Sequence, residues 1–162
     1  MKKKYVIFDF DGTLANTNDV IIDSWQHTAR HYLGHEVDIE TIERSFGETI
    51  RYTASYLMPD ANPIEVHEFY RQYQETHCEG RVTLFAGTRE LLYELKRRGH
   101  TLAVATSRMG RSYRMYMEMF ELDGLFDVEV TMEDVSTHKP DPEAILVTLD
   151  KLGADADDAI ML

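Results

Sequence analysis

The sequence predicts an α/β chain: a doubly wound parallel sheet, interrupted after its first strand by an all-helical domain. Three observations predict it. Short apolar segments recur along the chain, helical patterns separate the later ones, and residues 16–82 carry no clear strand signal.

The first segment, "YVIF", opens the run "YVIFDFDGTLANT". "TLAVAT" (101–106), "DVEVT" (127–131) and "DAIML" (158–162) follow. The first, second and fourth are nearly continuous apolar runs, the mark of parallel strands covered on both faces. "GTRELLYELKRRG" sets Leu91, Leu92 and Leu95 on one helical face and ends in basic residues and Gly99. "GRSYRMYMEMFELDG" follows the second strand, and "PEAILVTLDKLG" precedes the fourth, closing at Gly153. Strand–helix alternation of this kind makes right-handed βαβ units. Residues 1–15 and 83–162 are therefore assigned to the α/β core and 16–82 to a helical insertion. Within the insertion, helices are expected at about 18–33, 38–46, 48–58 and 63–79. The last opens on "NPIE", with Asn62 as cap, Pro63 in the first turn and Glu65 completing a capping box.

A chain of 162 residues with 43% hydrophobic content can bury a real core, and its net charge of −12 argues against nucleic acid or an anionic membrane as partner. An anionic substrate would then need local positive charge at its site. The single cysteine, Cys78, makes no internal disulfide and is read as a small semi-buried helix residue. "MKKKYVIF" meets an acid too early for a signal peptide, and no membrane-length apolar run appears, so a cytoplasmic location is expected.

Asp9 and Asp11 pose the chemical question. Along a strand they would face one way and Phe8 and Phe10 the other. Paired carboxylates are tolerable at a strand's carboxyl end, over a crevice and beside a cation. Gly12 lets the backbone turn sharply and approach a ligand closely. An ordinary Asp-Gly turn leaves Asp9, inside the apolar run, unexplained. Thr106 and Ser107 end the second strand, where a hydroxyl can bond an anionic oxygen or cap the next helix. Lys139, in "HKPDP", sits in a Pro-rigidified turn, either holding an ammonium group at the site or solvated. The three positions converge in a doubly wound sheet, where ligands bind at strand carboxyl ends.

"DFDGTL", a strand ending in "ATS", and "KPDP" before a helix together resemble the haloacid dehalogenase superfamily, over essentially the whole chain. "ANTNDVIIDSWQHT" and "VTMEDVSTHKPDPEAILVTLDKLG" most resemble its branch of phosphoglycolate phosphatases and PpaX-type pyrophosphatases. The resemblance implies a Rossmann-like core with a helical cap, and a phosphoric monoester hydrolase acting on a small anionic phosphorylated substrate. It implies Asp9 as nucleophile, Asp11 as general acid/base, Thr106 as ligand of the transferring phosphoryl group, and Lys139 as stabiliser of Asp9 and that group. Mg²⁺ would be held by Asp9 and the backbone carbonyl of Asp11. A monomer or weak homodimer is expected. A sugar-phosphate mutase and a non-catalytic binding protein are the alternatives. The family's fourth motif, an acid pair after the fourth strand, is expected beyond Leu162, as in a longer product.

Arg51, or Arg44, flanking "SFGETIR", is a candidate reader of a substrate's second anionic group, against a surface arginine paired with a glutamate. His27, His31 and His35, spaced by four, are read as a solvated or dipole-complementing helix face rather than a metal site. Glu133 and Asp134, after the third strand, are possible approaches to the metal, with a surface loop as the alternative.

Overall fold

The computed structural model describes residues 3–78 and 80–162. The chain divides into two compact units, 1–16 with 84–162, and 17–83.

The first unit is built on a four-stranded sheet of β1 (Tyr5–Phe8), β4 (Thr101–Ala105), β5 (Val128–Val130) and β6 (Ala159–Met161). The order is β5-β4-β1-β6, parallel throughout, with Tyr5 opposite both Thr101 and Ala159. The chain steps outward from β1 to β4 and β5, then returns to the far side of β1. That reversal is the topological switch of a doubly wound sheet, and the crevice beside it lies at the carboxyl end of β1.

The connecting helices are α5 (Thr88–Arg97), α6 (Gly110–Met119) and α7 (Glu143–Leu152). Every residue of β1 is buried, and so are Leu102 to Ala105 of β4, as central parallel strands require. β6 lies at an edge of this sheet, and Ile160 is 43% exposed, so the expectation of burial on both faces fails there. Ile7, Ala103, Ala105 and Val130 pack with Ala144 and Leu149 of α7. Small residues at 103 and 105 let that helix approach the sheet closely.

A ribbon of two-residue strands, β2 (Ala15–Asn16) and β3 (Thr83–Leu84), pairs where the chain leaves the first unit and returns. The sequence pattern did not signal it, because two residues carry no periodicity.

The second unit contains α1 (Asn18–Leu33), α2 (Ile39–Glu43), α3 (Ile50–Leu57) and α4 (Pro63–His77). Gly34, at φ 76°, ends α1 in the left-handed conformation that side chains resist. Helices α2 and α3 are shorter than expected. Thr49 caps the latter by accepting from the Tyr52 N–H at 3.3 Å. Asn62 caps α4 through the Ile64 N–H at 3.0 Å, but the carboxylate of Glu65 meets the Asn62 side-chain amide at 3.3 Å. The unit has its own core: Trp25 and Ala29 of α1 meet Ile42, Ala54, Val66 and Tyr70. Gln26, buried, accepts from the Val37 N–H and donates to the Val37 carbonyl, tying the α1–α2 loop to the helix. Cys78 is fully buried just past α4 rather than semi-buried within it.

The histidine spacing acquires a different meaning. His27 lies between Phe69 and Tyr73, with centroids 5.1 and 4.1 Å away, and His31 stacks on Phe69 at 4.3 Å. The rings form a ladder between α1 and α4, with His31 exposed in the last turn of α1, where a solvated or dipole-complementing role places it. His35 lies outside it, its ring Nδ1 2.9 Å from the Glu36 carbonyl oxygen.

Candidate active site

β1 ends at Phe8, before the stretch from Asp9 to Asp11 over which strand alternation would have to run. The ladder still reaches Asp9, whose N–H donates to the Leu162 carbonyl at 2.9 Å. Phe10 then turns into the core, its ring 5.6 Å from those of Tyr113 and Tyr116. That anchor separates the acids, so the loop, not the pleat, aims Asp11. Gly12, at φ 76°, makes the turn, and its N–H donates to the Ala15 carbonyl at 2.9 Å. Its part is conformational; its amide is already engaged within the turn.

Lys139 arrives from the loop before α7. Its ammonium donates to Asp9 Oδ2 at 2.7 Å and to the Ala105 carbonyl at 3.1 Å, bridging the ends of β1 and β4. Asp9 Oδ1 accepts from the Phe10 N–H at 2.7 Å. The loop itself is held by Glu143, whose carboxylate accepts from the N–H groups of Ser136 and Thr137 and from the Thr137 hydroxyl. Those bonds hold its carboxyl down to about 2, the Thr137 hydroxyl first among the causes. Asp141 Oδ1 in turn accepts from the Glu143 N–H at 2.9 Å.

Thr106 is buried at the end of β4, and its hydroxyl oxygen accepts from the Arg108 N–H at 3.1 Å. The hydroxyl hydrogen is thereby directed away from that amide. Ser107 follows, half-buried, in the same loop.

Arg108 is the residue that reading the sequence missed. Its Nε donates to Asp11 Oδ2 at 3.0 Å and its Nη2 to Oδ1 at 2.6 Å, a fork-to-fork pair. Nη1 donates to the Ser112 hydroxyl at 3.1 Å, and the guanidinium lies 4.9 Å from the Tyr116 ring centroid. Its side chain is only 7% exposed. Positions 108, 112 and 116 recur every four residues, a spacing visible in the sequence, but the acid it serves lies 97 residues away.

Glu133 and Asp134 make structural contacts. Glu133 accepts from the Gly110 N–H at the start of α6. Asp134 forms a capping box with Thr131 and pairs with Lys151 at 2.9 Å. In the second unit, Arg44 pairs with Glu40 at 2.7 Å, as the surface reading of that residue has it. Arg51 lies in the first turn of α3, exposed.

Among the described residues no three His, Cys, Asp or Glu side chains gather as a metal cluster. The donor chemistry at Asp9 and the Asp11 carbonyl is nevertheless all hard oxygen. Mg²⁺ commonly uses one or two carboxylates and completes its octahedron with water and substrate phosphate, so these residues fit such an ion.

Comparison with known proteins gives the family. The family model of the haloacid dehalogenase-like hydrolases matches residues 6–162. Pyrophosphatase PpaX of Bacillus mycoides is 34% identical over 163 residues, covering 100% of this chain and 75% of that protein. A hydrolase from Pseudomonas syringae superposes with a TM-score of 0.86 at 25% identity, over 98% of this chain and 74% of that one. CbbY from Rhodobacter sphaeroides, solved in complex with phosphate, shares the fold with a TM-score of 0.83 at 23% identity, over 98% and 76% of the two chains. A first loop bearing two acids, a lysine that bridges the adjoining strand ends and a match across nearly the whole chain stand together: this protein belongs to the haloacid dehalogenase-like hydrolases and is a phosphatase of that family.

Proposed function

We propose that this phosphatase hydrolyses a small phosphorylated metabolite in two steps through an aspartyl-phosphate on Asp9, with Mg²⁺ as cofactor. Phosphoglycolate, pyrophosphate and similar small anions are the substrate class. The observation that carries the reading is the Lys139 ammonium, 2.7 Å from Asp9 Oδ2 and 3.1 Å from the Ala105 carbonyl.

A carboxylate is ionised at neutral pH and needs no base to attack phosphorus. Its obstacle is repulsion from the phosphate. Lys139 offsets that repulsion, holds the attacking oxygen in place, and faces the charge that spreads over the equatorial oxygens. Thr106 has a hydroxyl hydrogen to donate to one of those oxygens. Asp11 stands two residues on as proton carrier, supplying the leaving oxygen where required and then drawing a proton from water. A magnesium ion, held by Asp9 and the Asp11 carbonyl, would add further charge neutralisation at the phosphoryl oxygens.

The helical unit is proposed as the specificity cap, with Arg51 reading a second anionic group on the substrate. The test is a panel of phosphate esters and pyrophosphate assayed across a magnesium titration. Magnesium-saturable phosphate release, abolished by Asp9→Asn, is expected. Equal release by Asp9→Asn would remove the nucleophile from the account.

A further inference from the structure

We propose that His67 is a specificity-determining residue: with Arg51 it forms a two-donor subsite in the helical unit for a second anionic group on the substrate, a carboxylate or a phosphate. The proposal rests on the reading above, in which the helical unit is the cap, and deepens it to doubly anionic phosphates as the favoured class.

Two unmet groups come together in this unit. Residues 17–83 contain five arginines and no lysine. Arg30 pairs with Glu36, Arg44 with Glu40, Arg71 with Glu68 and Glu75, and Arg81 with Asp23. Arg51 has no carboxylate partner among the described residues, although the unit holds more acids than bases. His67 is the second unmet group. It is 5% exposed, and no group among the described residues hydrogen-bonds its ring. Burying a polar side chain without a partner is costly, and one that persists calls for a ligand, a water or a chemical use.

The fold makes these two residues neighbours. Helices α3 and α4 are joined by residues 58–62, and Ala54, Val66 and Tyr70 share one core between them. Arg51 lies six residues before the end of α3 and His67 four residues after the start of α4, about 9 and 6 Å of helix from the connection. The positive charge of Arg51 accordingly reaches the His67 ring.

The charged groups that face the ring are Arg51 from α3, and Glu68 and Arg71 from its own helix. Glu68 and Glu75 neutralise Arg71 at 3.1 and 2.6 Å, so Arg51 is the cation left to draw an anion to the ring. Burial, helped by the two arginines against Glu68, holds the imidazole below its ordinary value. At neutral pH it therefore offers one N–H and carries no charge. An oxyanion held by the Arg51 guanidinium can accept that N–H as well. Its negative charge offsets the field that opposed the imidazolium, and the ring takes up a proton from solvent. Binding of a carboxylate, which stays ionised, should thus strengthen as the pH falls from about 7 to about 6.

The experiment compares kcat and KM for 2-phosphoglycolate and pyrophosphate with those for p-nitrophenyl phosphate, whose tail carries no second anion. The proteins are the wild type, His67→Leu, His67→Gln, Arg51→Ala and the double variant of Arg51→Ala with His67→Leu. His67→Leu should raise KM for the first two substrates about tenfold more than for the third. His67→Gln, which keeps an N–H donor, should recover part of that difference. The double variant should lose less than the sum of its single losses, since each donor holds the anion for the other. Equal losses for all three substrates, or none, would overturn the proposal and leave the phosphatase reading intact. Absence of turnover with every substrate in the wild type would overturn both. A readout apart from turnover is the His67 imidazole resonance in Asp9→Asn, titrated against pH with and without 2-phosphoglycolate. The ligand should move the midpoint upward, and adding Arg51→Ala should abolish the movement. An unmoved midpoint at saturating 2-phosphoglycolate would overturn the subsite. Movement with inorganic phosphate alone, together with unchanged selectivity in His67→Leu, would assign the subsite to a separate anion and overturn its role in substrate choice.

Discussion

At the residue scale, the site solves a charge problem set by the whole chain. The net charge is −12, yet each acid of the first loop has a cation: Lys139 on Asp9 and Arg108 on Asp11. The pairs are not equivalent. Lys139 offers a compact ammonium that can shift toward a phosphate oxygen, whereas Arg108 offers a rigid planar fork. Replacing Lys139 by Met should therefore reduce kcat by about 10²–10³-fold, the usual loss when one preorganised donor is removed. A steady-state comparison with a folded variant checks this, and a change in KM alone would reassign Lys139 to binding. The pairing of Asp9 with Lys139 was legible in outline, because a strand end and a Pro-held lysine were recognisable separately. Arg108 was not: local spacing shows which face it shares with Ser112 and Tyr116, but nothing local names Asp11.

At the scale of elements, strands β1 and β4 and helices α1, α4, α5, α6 and α7 follow from apolar patterning and end signals such as Gly34 and Gly153. What escaped is what depends on a partner distant in sequence or on too few residues: the β2–β3 ribbon, and the acids that stitch loops. Glu133 and Asp134 could be read from sequence as approaches to a metal or as a surface loop, and they serve as caps for α6 and the turn after β5. Glu143 shows the functional side of such stitching. It is the first residue of α7 and accepts the backbone N–H groups of 136 and 137, three and two residues before Lys139. Its carboxyl, held down to about 2, contributes above its ordinary value of 4.5 and loses that contribution as the pH falls through about 2. Glu143→Gln should loosen the loop and lower kcat several-fold at neutral pH with little change in melting temperature. Unchanged kcat would mean that the lysine is positioned without the clamp.

At the scale of the whole molecule, the two units have separate cores and separate sensitivities to acid. No helix among the described residues is long and apolar enough to cross a membrane. In the helical unit His67 is only 5% exposed, and burial pushes its imidazole below the ordinary value of 6.5, with Arg51 and Arg71 adding to the shift against Glu68. The unfolded chain then binds the proton more tightly than the folded one. Stability contributed by neutral His67 is complete above pH 6.5 and declines as the pH falls below it, by at most about 1.4 kcal/mol per pH unit. Urea unfolding at several pH values should show this slope for the helical unit, and His67→Gln should flatten it. An identical slope in the variant would assign the loss to other groups.

The central claim is that Asp9 carries the phosphoryl group. It is tested most directly by quenching the enzyme during turnover, reducing the acyl phosphate with borohydride, and sequencing the peptide from residues 5–17 by mass spectrometry. The account predicts homoserine at position 9, with more of it in Asp11→Asn, where water activation is slowed. Steady turnover with unmodified Asp9 in both proteins, under conditions that trap a known aspartyl-phosphate enzyme, would contradict it.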